Sequence, residues 1–402
     1  MRSVIFRNSR PRQAFAKIAG ALTPAAFVSR WAPVGVESIA EPVAPGSDWV
    51  ECETVLTGIC GSDSKQIFLN GARDNPMTAL ISFPHVLGHE AVARRLDTGE
   101  LVVLNPWLWC EPRQITPLCP ACEQGQYAEC RNFGRGALPP SVHLGNCAAA
   151  PGTHGERFYA HRRQLHRIPE GVTIEQAVLA DPVSVSLHSL LRNPPEPGLP
   201  ALVYGCGALG LSAIALLRHL HPDLEVWAVS KYDHAALLAE DCGADAVFKP
   251  DPEALVAGVV SRTGATPLVP WSRKTWLQDG PGVIYDTVGS PQTVETSLRI
   301  VNTRGSVVIS GVEPPKRFEW TPLYFKEINV IGSNAFGVEL LGDQRKHAFD
   351  HYFDLVRDGF DVTAMITHRF ALEDWRKAVL TIARRKRTRS VKVLLEPMQP
   401  HR

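Results

Sequence analysis

The sequence predicts an α/β protein in two parts, a β-rich N-terminal region followed by a doubly wound parallel sheet. Three observations predict it. Up to about residue 170, short apolar runs such as 50–60 (VECETVLTGIC) and 101–106 (LVVLNP) are punctuated by Gly and Pro, with no long helical period. From about Thr173 the pattern changes to alternating strands and helices, which is the signature of a parallel sheet. At the head of that region, Gly205-Cys-Gly-Ala-Leu-Gly210 stands between a strand and a helix.

Taken in order, Met1–Phe6 reads as an opening strand. Six basic residues precede the first acidic one, Glu37, a composition like that of a transit peptide, but an opening strand belongs to a folded domain. TIEQAVLADPVSVSLHSLL (173–191) has apolar residues at helical spacing, interrupted at Pro182. NPPEPGLP (193–200) is a Pro-rich connector. Then follow a strand at Ala201–Tyr204, a helix at Leu209–Leu220, a strand at Glu225–Val229 and a helix at His234–Cys242 closed by Gly243. Val283–Asp286, Ser306–Ser310 and the tail SVKVLLEP (390–397) are further strands. The longest uncharged stretch, Pro197–Leu217, has the length of a membrane span. Pro200 and three glycines break its first half, so strand–turn–helix is the better reading, and a cytoplasmic protein without a membrane is expected.

Composition narrows the function classes. Lys plus Arg is 42 against 41 Asp plus Glu in 402 residues, so no global field recruits nucleic acid or an anionic membrane. The basic run Arg384–Arg389 reads as a solvated helix end, because nucleic-acid binding needs a wider basic face. Nine cysteines cannot all pair within one chain, and four of them cluster, which points to metal.

Three sets of residues carry chemistry. Gly205 permits a tight turn, Gly207 lets backbone approach a pyrophosphate, and Gly210 lets strand and helix pack closely, with the helix N-terminus facing the phosphates. At the end of the next strand, where NAD sites usually present a carboxylate to the ribose 2′-OH, the chain has Ser230 followed by Lys231. Neither repels a 2′-phosphate, so NADP is expected over NAD; the alternative is that Asp233 or a backbone group serves the ribose of NAD. Cys110, Cys119, Cys122 and Cys130 suit a closed tetrahedral structural Zn²⁺. Cys60, in GICGSD, with His89 and Glu90, in GHE, suits a catalytic Zn²⁺ with an open position.

In this order, GICGSD, PHVLGHE, CPAC followed by Cys130, LADPVSVSLHS, YGCGALGL, YDTVGS and SVKVLLEP resemble the zinc-dependent medium-chain dehydrogenase/reductase family, nearest its polyol and threonine dehydrogenase branch. The resemblance covers nearly the whole chain. It implies a GroES-like β-barrel catalytic domain (1–182) carrying the zinc lobe, a Rossmann domain (183–334) and a return to the catalytic domain (335–402). It implies Cys60 and His89 as catalytic zinc ligands. Glu90 is a carboxylate that binds zinc directly or during turnover, and Asp181 stands where the branch usually has Glu. Ser62 is implied as the hydroxyl that contacts the substrate oxygen and starts the proton relay. Leu209 joins Gly205, Gly207, Gly210, Ser230 and Lys231 as a cofactor-binding position, and Glu156 matches a structural glutamate.

The implied reaction is reversible oxidation of a secondary alcohol (polyol, sugar, cyclitol or amino alcohol) to a ketone, in a homodimer or homotetramer. Rival readings are a zinc-free enoyl or quinone reductase of the same superfamily and a non-catalytic nucleotide-binding redox sensor. The chain departs from the family pattern in four places. EPRQITPL separates Cys110 from Cys119, an apparent insertion that leaves Cys110 in question as a ligand. Lys65 replaces a proton-relaying His, and segments 8–30 and 266–280 are longer than expected.

Overall fold

The computed structural model describes residues 1–71, 75–313 and 317–398. The chain divides into two compact units: Met1–Asp181 with Phe349–Gly359 and Ile366–Arg402, and Pro182–Ala348 with Phe360–Met365.

The first unit opens with β1 (Arg2–Phe6), which pairs antiparallel with β2 (Val34–Ser38) and β4 (His85–Val86). Between β1 and β2 the long segment forms α1 (Arg10–Gly20) and a 3-10 turn, Pro24–Val28. β3 (Trp49–Gly58) is the hub of the main sheet. It pairs antiparallel with β5 (Glu90–Arg95) and β7 (Arg157–His161), and β5 continues through β6 (Leu101–Leu104) to β8 (Leu165–Arg167). Trp49, Cys52, Ala93, Val102, Leu104, Phe158 and Ala160 form one of its cores. α2 (Gly61–Ile67) follows β3 directly, and a turn of helix, α3 (Pro120–Glu123), sits in the cysteine lobe.

α4 (Ile174–Ala177) and α5 (Ala180–Arg192) cover the segment read as one interrupted helix. Pro182 does not interrupt α5. It lies in the first turn, where the backbone N–H has no intrahelical partner to lose.

The second unit is built on β9 (Ala201–Tyr204), buried along its whole length. α6 (Ala208–Leu220) leads to β10 (Val226–Val229), α7 (Asp233–Asp241) to β11 (Ala246–Phe248), and α8 (Pro252–Thr263) towards β12 (Val283–Asp286). α9 (Pro291–Ile300) and α10 (Thr321–Phe325) bring in β13 (Ser306–Ile309) and β14 (Asn329–Gly332). The strand order is β11-β10-β9-β12-β13-β14, all parallel, the doubly wound sheet the sequence predicts. The long segment 266–280 closes on itself through a bridge between Leu268 and Trp276, and Lys274 pairs with Glu295 of α9. β15 (Val338–Leu341) and β16 (Gln344–His347) form a hairpin.

α11 (Ala348–Arg357) starts at the crossing back to the first unit. There β17 (Ile366–Ala371) and β18 (Lys392–Glu396) add to the main sheet, β18 beside β3. α12 (Trp375–Ala383) packs with β1, Ile59, Ile67 and β18 in a second core, and α13 (Arg385–Thr388) ends it. Among the described residues, no helix is long and apolar enough to cross a membrane.

Candidate active site and metal centres

The first cluster lies where β3 ends and β5 begins. Cys60 is the N-cap of α2, and its N–H donates to Asp63 at 2.9 Å, which fixes the turn. His89 and Glu90 reach the same place because Gly88, at φ +93°, turns the chain where any Cβ would strike the His154 ring. The donor atoms of Cys60, His89 and Glu90 all lie within 4.8 Å of one another. Ser62 Oγ is 3.5 Å from His89 Nε2.

Two residues that the sequence reasoning did not single out complete this arrangement. Asp63, fully buried, lies 3.6 Å from His89 Nδ1 and 3.9 Å from His154 Nε2. Burial alone would push its carboxyl up. The His89 and His154 charges, the contact with His89 and the Cys60 N–H outweigh that and hold it well below the usual carboxylate range. In turn, Asp63 and Cys60 hold the His89 ring's proton affinity up against burial. A carboxylate on one ring nitrogen leaves the other to a metal. The position was in view as the last letter of GICGSD, but only its spatial partner gives it a role. The second residue is Lys392 of β18, whose ammonium pairs with Glu90 while both side chains are buried. Gly58 makes room for this pair, since a Cβ there would meet both the Glu90 carboxylate and the Lys392 stem.

Asp181, where the resemblance implies a further ligand position, lies near this set. Its carboxylate is not among the donor atoms that gather at Cys60, His89 and Glu90. It stands in the first turn of α5, and burial and the Glu90 charge raise it to about 7, against the opposing pull of His89 and Lys392. Glu156 accepts from the backbone N–H and guanidinium of Arg2, tying β1 down, as a structural residue does.

The second cluster is the lobe. The sulfurs of Cys110, Cys119, Cys122 and Cys130 lie within 4.8 Å of one another, all buried, so Cys110 joins the set despite its spacing. Backbone N–H groups of Cys119, Arg131 and Asn132 and the Asn132 side chain point at these sulfurs at 3.2–3.5 Å. Donors aimed at sulfur favour thiolates, the form that a tetrahedral metal requires. The insertion supplies the lobe's internal scaffold. Arg113, fully buried, donates to the carbonyls of Leu108, Arg135, Leu138, Pro139 and Ser141 and to Ser141 Oγ, at 2.5–3.2 Å.

In the second unit the glycine turn has the shape a dinucleotide needs. Gly205 has φ +100°, nothing lies within 4 Å of where a Gly207 Cβ would be, and a Cβ on Gly210 would collide with the Gly205 carbonyl. Gly207 therefore leaves open space beside the N-terminus of α6, and Gly210 serves close packing. Leu209 turns its carbonyl to Ser186 Oγ at 2.8 Å. At the end of β10, Ser230 Oγ donates to the Tyr232 carbonyl at 3.0 Å, and Lys231 Nζ lies 5.9 Å from the Tyr232 ring centre. Asp233 pairs with Lys249.

Comparison with known proteins agrees with both units. Residues 46–170 match the alcohol dehydrogenase GroES-like domain, and residues 208–356 match the zinc-binding dehydrogenase domain. The chain is 25% identical to a 2-dehydro-3-deoxy-L-galactonate 5-dehydrogenase of Pseudoalteromonas atlantica over 73% of this chain and 78% of that one. It is 24% identical to sorbitol dehydrogenase 1 of Saccharomyces cerevisiae over 88% and 93%. The solved galactitol-1-phosphate dehydrogenase of Escherichia coli superposes with a TM-score of 0.70 at 23% identity, covering 99% of this chain and 100% of that one. With a GroES-like first unit, a parallel dinucleotide-type sheet and two gathered ligand sets, the chain belongs to the zinc-type alcohol dehydrogenases of the medium-chain dehydrogenase/reductase family, in their polyol-dehydrogenase-like branch.

Proposed function

We propose that this protein is an NADP-preferring dehydrogenase of a polyol or sugar secondary alcohol, with its chemistry at Cys60, Ser62 and His89. The reaction class is transfer of a hydride between the carbinol carbon and NAD(P). The convergence of Cys60, His89 and Glu90 beside the Ser62 hydroxyl carries this reading. These residues fit a catalytic zinc, which when bound polarises the substrate oxygen and lowers its pKa. Cys60 and His89 would hold it, with Asp63 3.6 Å from His89 Nδ1 orienting the ring. Ser62 takes the hydroxyl proton and passes it on. Lys392 neutralises Glu90 and holds it at the site. The gathered ligand set speaks against a zinc-free reductase, and Ser62 beside it speaks against a sensor without turnover.

The sulfurs of the lobe fit a structural zinc. NADP preference is supported by the strand end after β10, where the available carboxylate, Asp233, is already paired with Lys249 and Lys231 is exposed. Sugar-acid, polyol and sugar-phosphate relatives support a polyhydroxylated substrate. A homo-oligomer is part of the proposal. β14 is a sheet-edge strand with Val330 exposed, and Trp271, Trp320, Tyr324 and Phe325 are exposed in the same unit. Nine cysteines with no disulfide among them suit a reducing compartment such as the cytoplasm. The test is a cofactor-linked screen of polyols, sugars and simple alcohols on zinc-loaded protein, with NAD and NADP in parallel. Turnover of simple alcohols alone, or of none, would overturn the substrate class.

A further inference from the structure

The segment 8–30 is not used by the site, yet it is folded, and its sequence is unusual. Before Glu37 the chain has cations and no carboxylate: Arg2, Arg7, Arg10, Arg12, Lys17 and Arg30. Within α1 a single side chain, Ala16, is buried. Arg12 is tied back, donating to the Ala32 carbonyl at 3.2 Å. Phe15, Ile18 and Leu22 recur at helical spacing and are 40%, 75% and 89% exposed. They form an outward apolar stripe, with Pro11 at its start also exposed. At 100° per residue, Arg10 and Lys17 fall together beside this stripe, and both are exposed. Trp31, 56% exposed, follows the arm, with the Arg30 guanidinium 5.2 Å from its ring centre. Among the described residues, Arg10, Lys17 and Arg30 have no carboxylate at ion-pair distance.

The arm is held firmly from the other side. Ala26 and Val28 of the 3-10 turn are buried, and Phe27 packs edge-on against Phe68 at 5.4 Å. Phe27 also occupies the space that a Gly20 Cβ would take, which locks α1 to the turn. The turn packs on α12, whose C-terminal end runs into exposed Arg384, Lys386, Arg387 and Arg389. The net charge of +1 gives no global attraction, but this arm and that run are two stretches of the chain that carry cations and no carboxylate.

A helix that turns Phe15 and Ile18 to solvent, with Leu22 in the turn after it, flanked by Arg and Lys and followed by Trp, has the chemistry of an interfacial helix. Apolar side chains enter the acyl boundary, cations meet phosphate and carboxylate headgroups, and Trp settles at the interface. We propose that α1 and Trp31 form an arm that seats the first unit reversibly on an anionic lipid surface. A single short stripe confers weak, salt-sensitive attachment.

The experiment is sedimentation of the full-length protein with vesicles of phosphatidylcholine, with or without about 30 mol% phosphatidylserine. The expected result is about tenfold or more greater binding to the anionic vesicles, lost at about 0.5 M salt, where the Debye length shortens to a few ångströms. The pair Ile18→Ser and Leu22→Ser should abolish it. The pair Arg10→Ser and Lys17→Ser should weaken it about tenfold or more, at roughly fivefold per cation. Thermal midpoint and zinc content, measured alongside, are expected to stay at wild-type values; if the double variants misfold, Lys17→Glu alone serves. Equal binding to neutral vesicles, no binding to either, or a concentration-dependent dimer that Ile18→Ser and Leu22→Ser dissolve would overturn the proposal. The last result would assign the stripe to a second copy of the chain.

Discussion

Replacing Arg113 tests whether the insertion between Cys110 and Cys119 is a working part of the metal lobe. Its guanidinium is buried without a carboxylate, and all its donors go to oxygen: Leu108, Arg135, Leu138, Pro139 and Ser141 carbonyls and the Ser141 hydroxyl. Pro139 keeps a second donor in Ser141 Oγ, so Arg113→Met leaves the other four carbonyls without this partner. A buried acceptor left unpaired costs about 1–3 kcal/mol. Water entering the lobe and release from burying a charge offset part of that sum, so the expected net loss is about 3–5 kcal/mol. Burial lowers the guanidinium's proton affinity, and thiolate charge in the lobe, on Cys130 and Cys110, would offset part of that penalty. Zinc release to a chromogenic chelator, followed during urea titration, is the assay. Arg113→Met should release one of about two zinc ions per chain at markedly lower urea than wild type. Arg113→Lys should be nearly as damaged, because an ammonium keeps the charge but cannot span five carbonyls. An unchanged release midpoint in Arg113→Met would refute the reasoning.

Three further outcomes follow from the sites. Ser62→Ala should retain both zinc ions and lose about 10²–10⁴-fold in turnover, whereas His89→Ala should lose the catalytic zinc as well; elemental analysis beside kinetics separates them. Ser230→Asp should shift cofactor preference towards NAD by about tenfold or more, since it places a carboxylate against the 2′-phosphate, and titration with both cofactors reads it. Lys326 is buried and donates to the carbonyls of Leu277, Arg299 and Val301 at 2.5–3.3 Å, closing the C-terminal end of α9 and the 266–280 segment. Burial pushes it down to about 7, against the nearby Asp279 charge. The unfolded chain then holds a proton that the folded chain has released between pH 7 and the ordinary lysine value. The Lys326 contribution to stability therefore rises with pH across that window, by at most about 1.4 kcal/mol per pH unit. Urea midpoints at pH 7 and 9 should rise more in wild type than in Lys326→Met; parallel profiles would contradict the assignment.

Much of the fold was legible because it depends on local pattern. A buried run followed by GxGxxG and an apolar helix specifies β9, its turn and α6 from nearby residues alone, and the close approach of Gly210 to Gly205 is a contact across one turn. Pro182 was misread for the opposite reason. Proline signals a break only relative to where a helix begins, and α5 begins at Ala180, two residues before Pro182, not at Thr173 as a continuous 173–191 helix would. The 8–30 segment offered Pro and Ala without a strong inward stripe, so a helix whose apolar side faces solvent did not stand out as α1.

The two gathered clusters of donor residues were legible in the sequence, and what surrounds them was not. Cys60, His89 and the four lobe cysteines are identified by residue type, because few side chains serve zinc. What orients and balances them is recruited from elsewhere in the chain: Lys392 reaches Glu90 from the last strand, and Arg113 joins carbonyls on both sides of the cysteines. Such partners are ordinary residues in sequence, and only the pairing of β18 with β3 brings Lys392 beside Glu90. Asp181 shows the same limit from the other direction. The resemblance marks it as a ligand position, and the structure shows a buried acid, pushed up to about 7 by burial and the Glu90 charge, outside the donor atoms gathered at Cys60, His89 and Glu90. Restoring the methylene with Asp181→Glu therefore asks whether reach alone decides its role. If it does, zinc affinity rises; if the Glu90–Lys392 pair already defines the site, zinc affinity stays at the wild-type value.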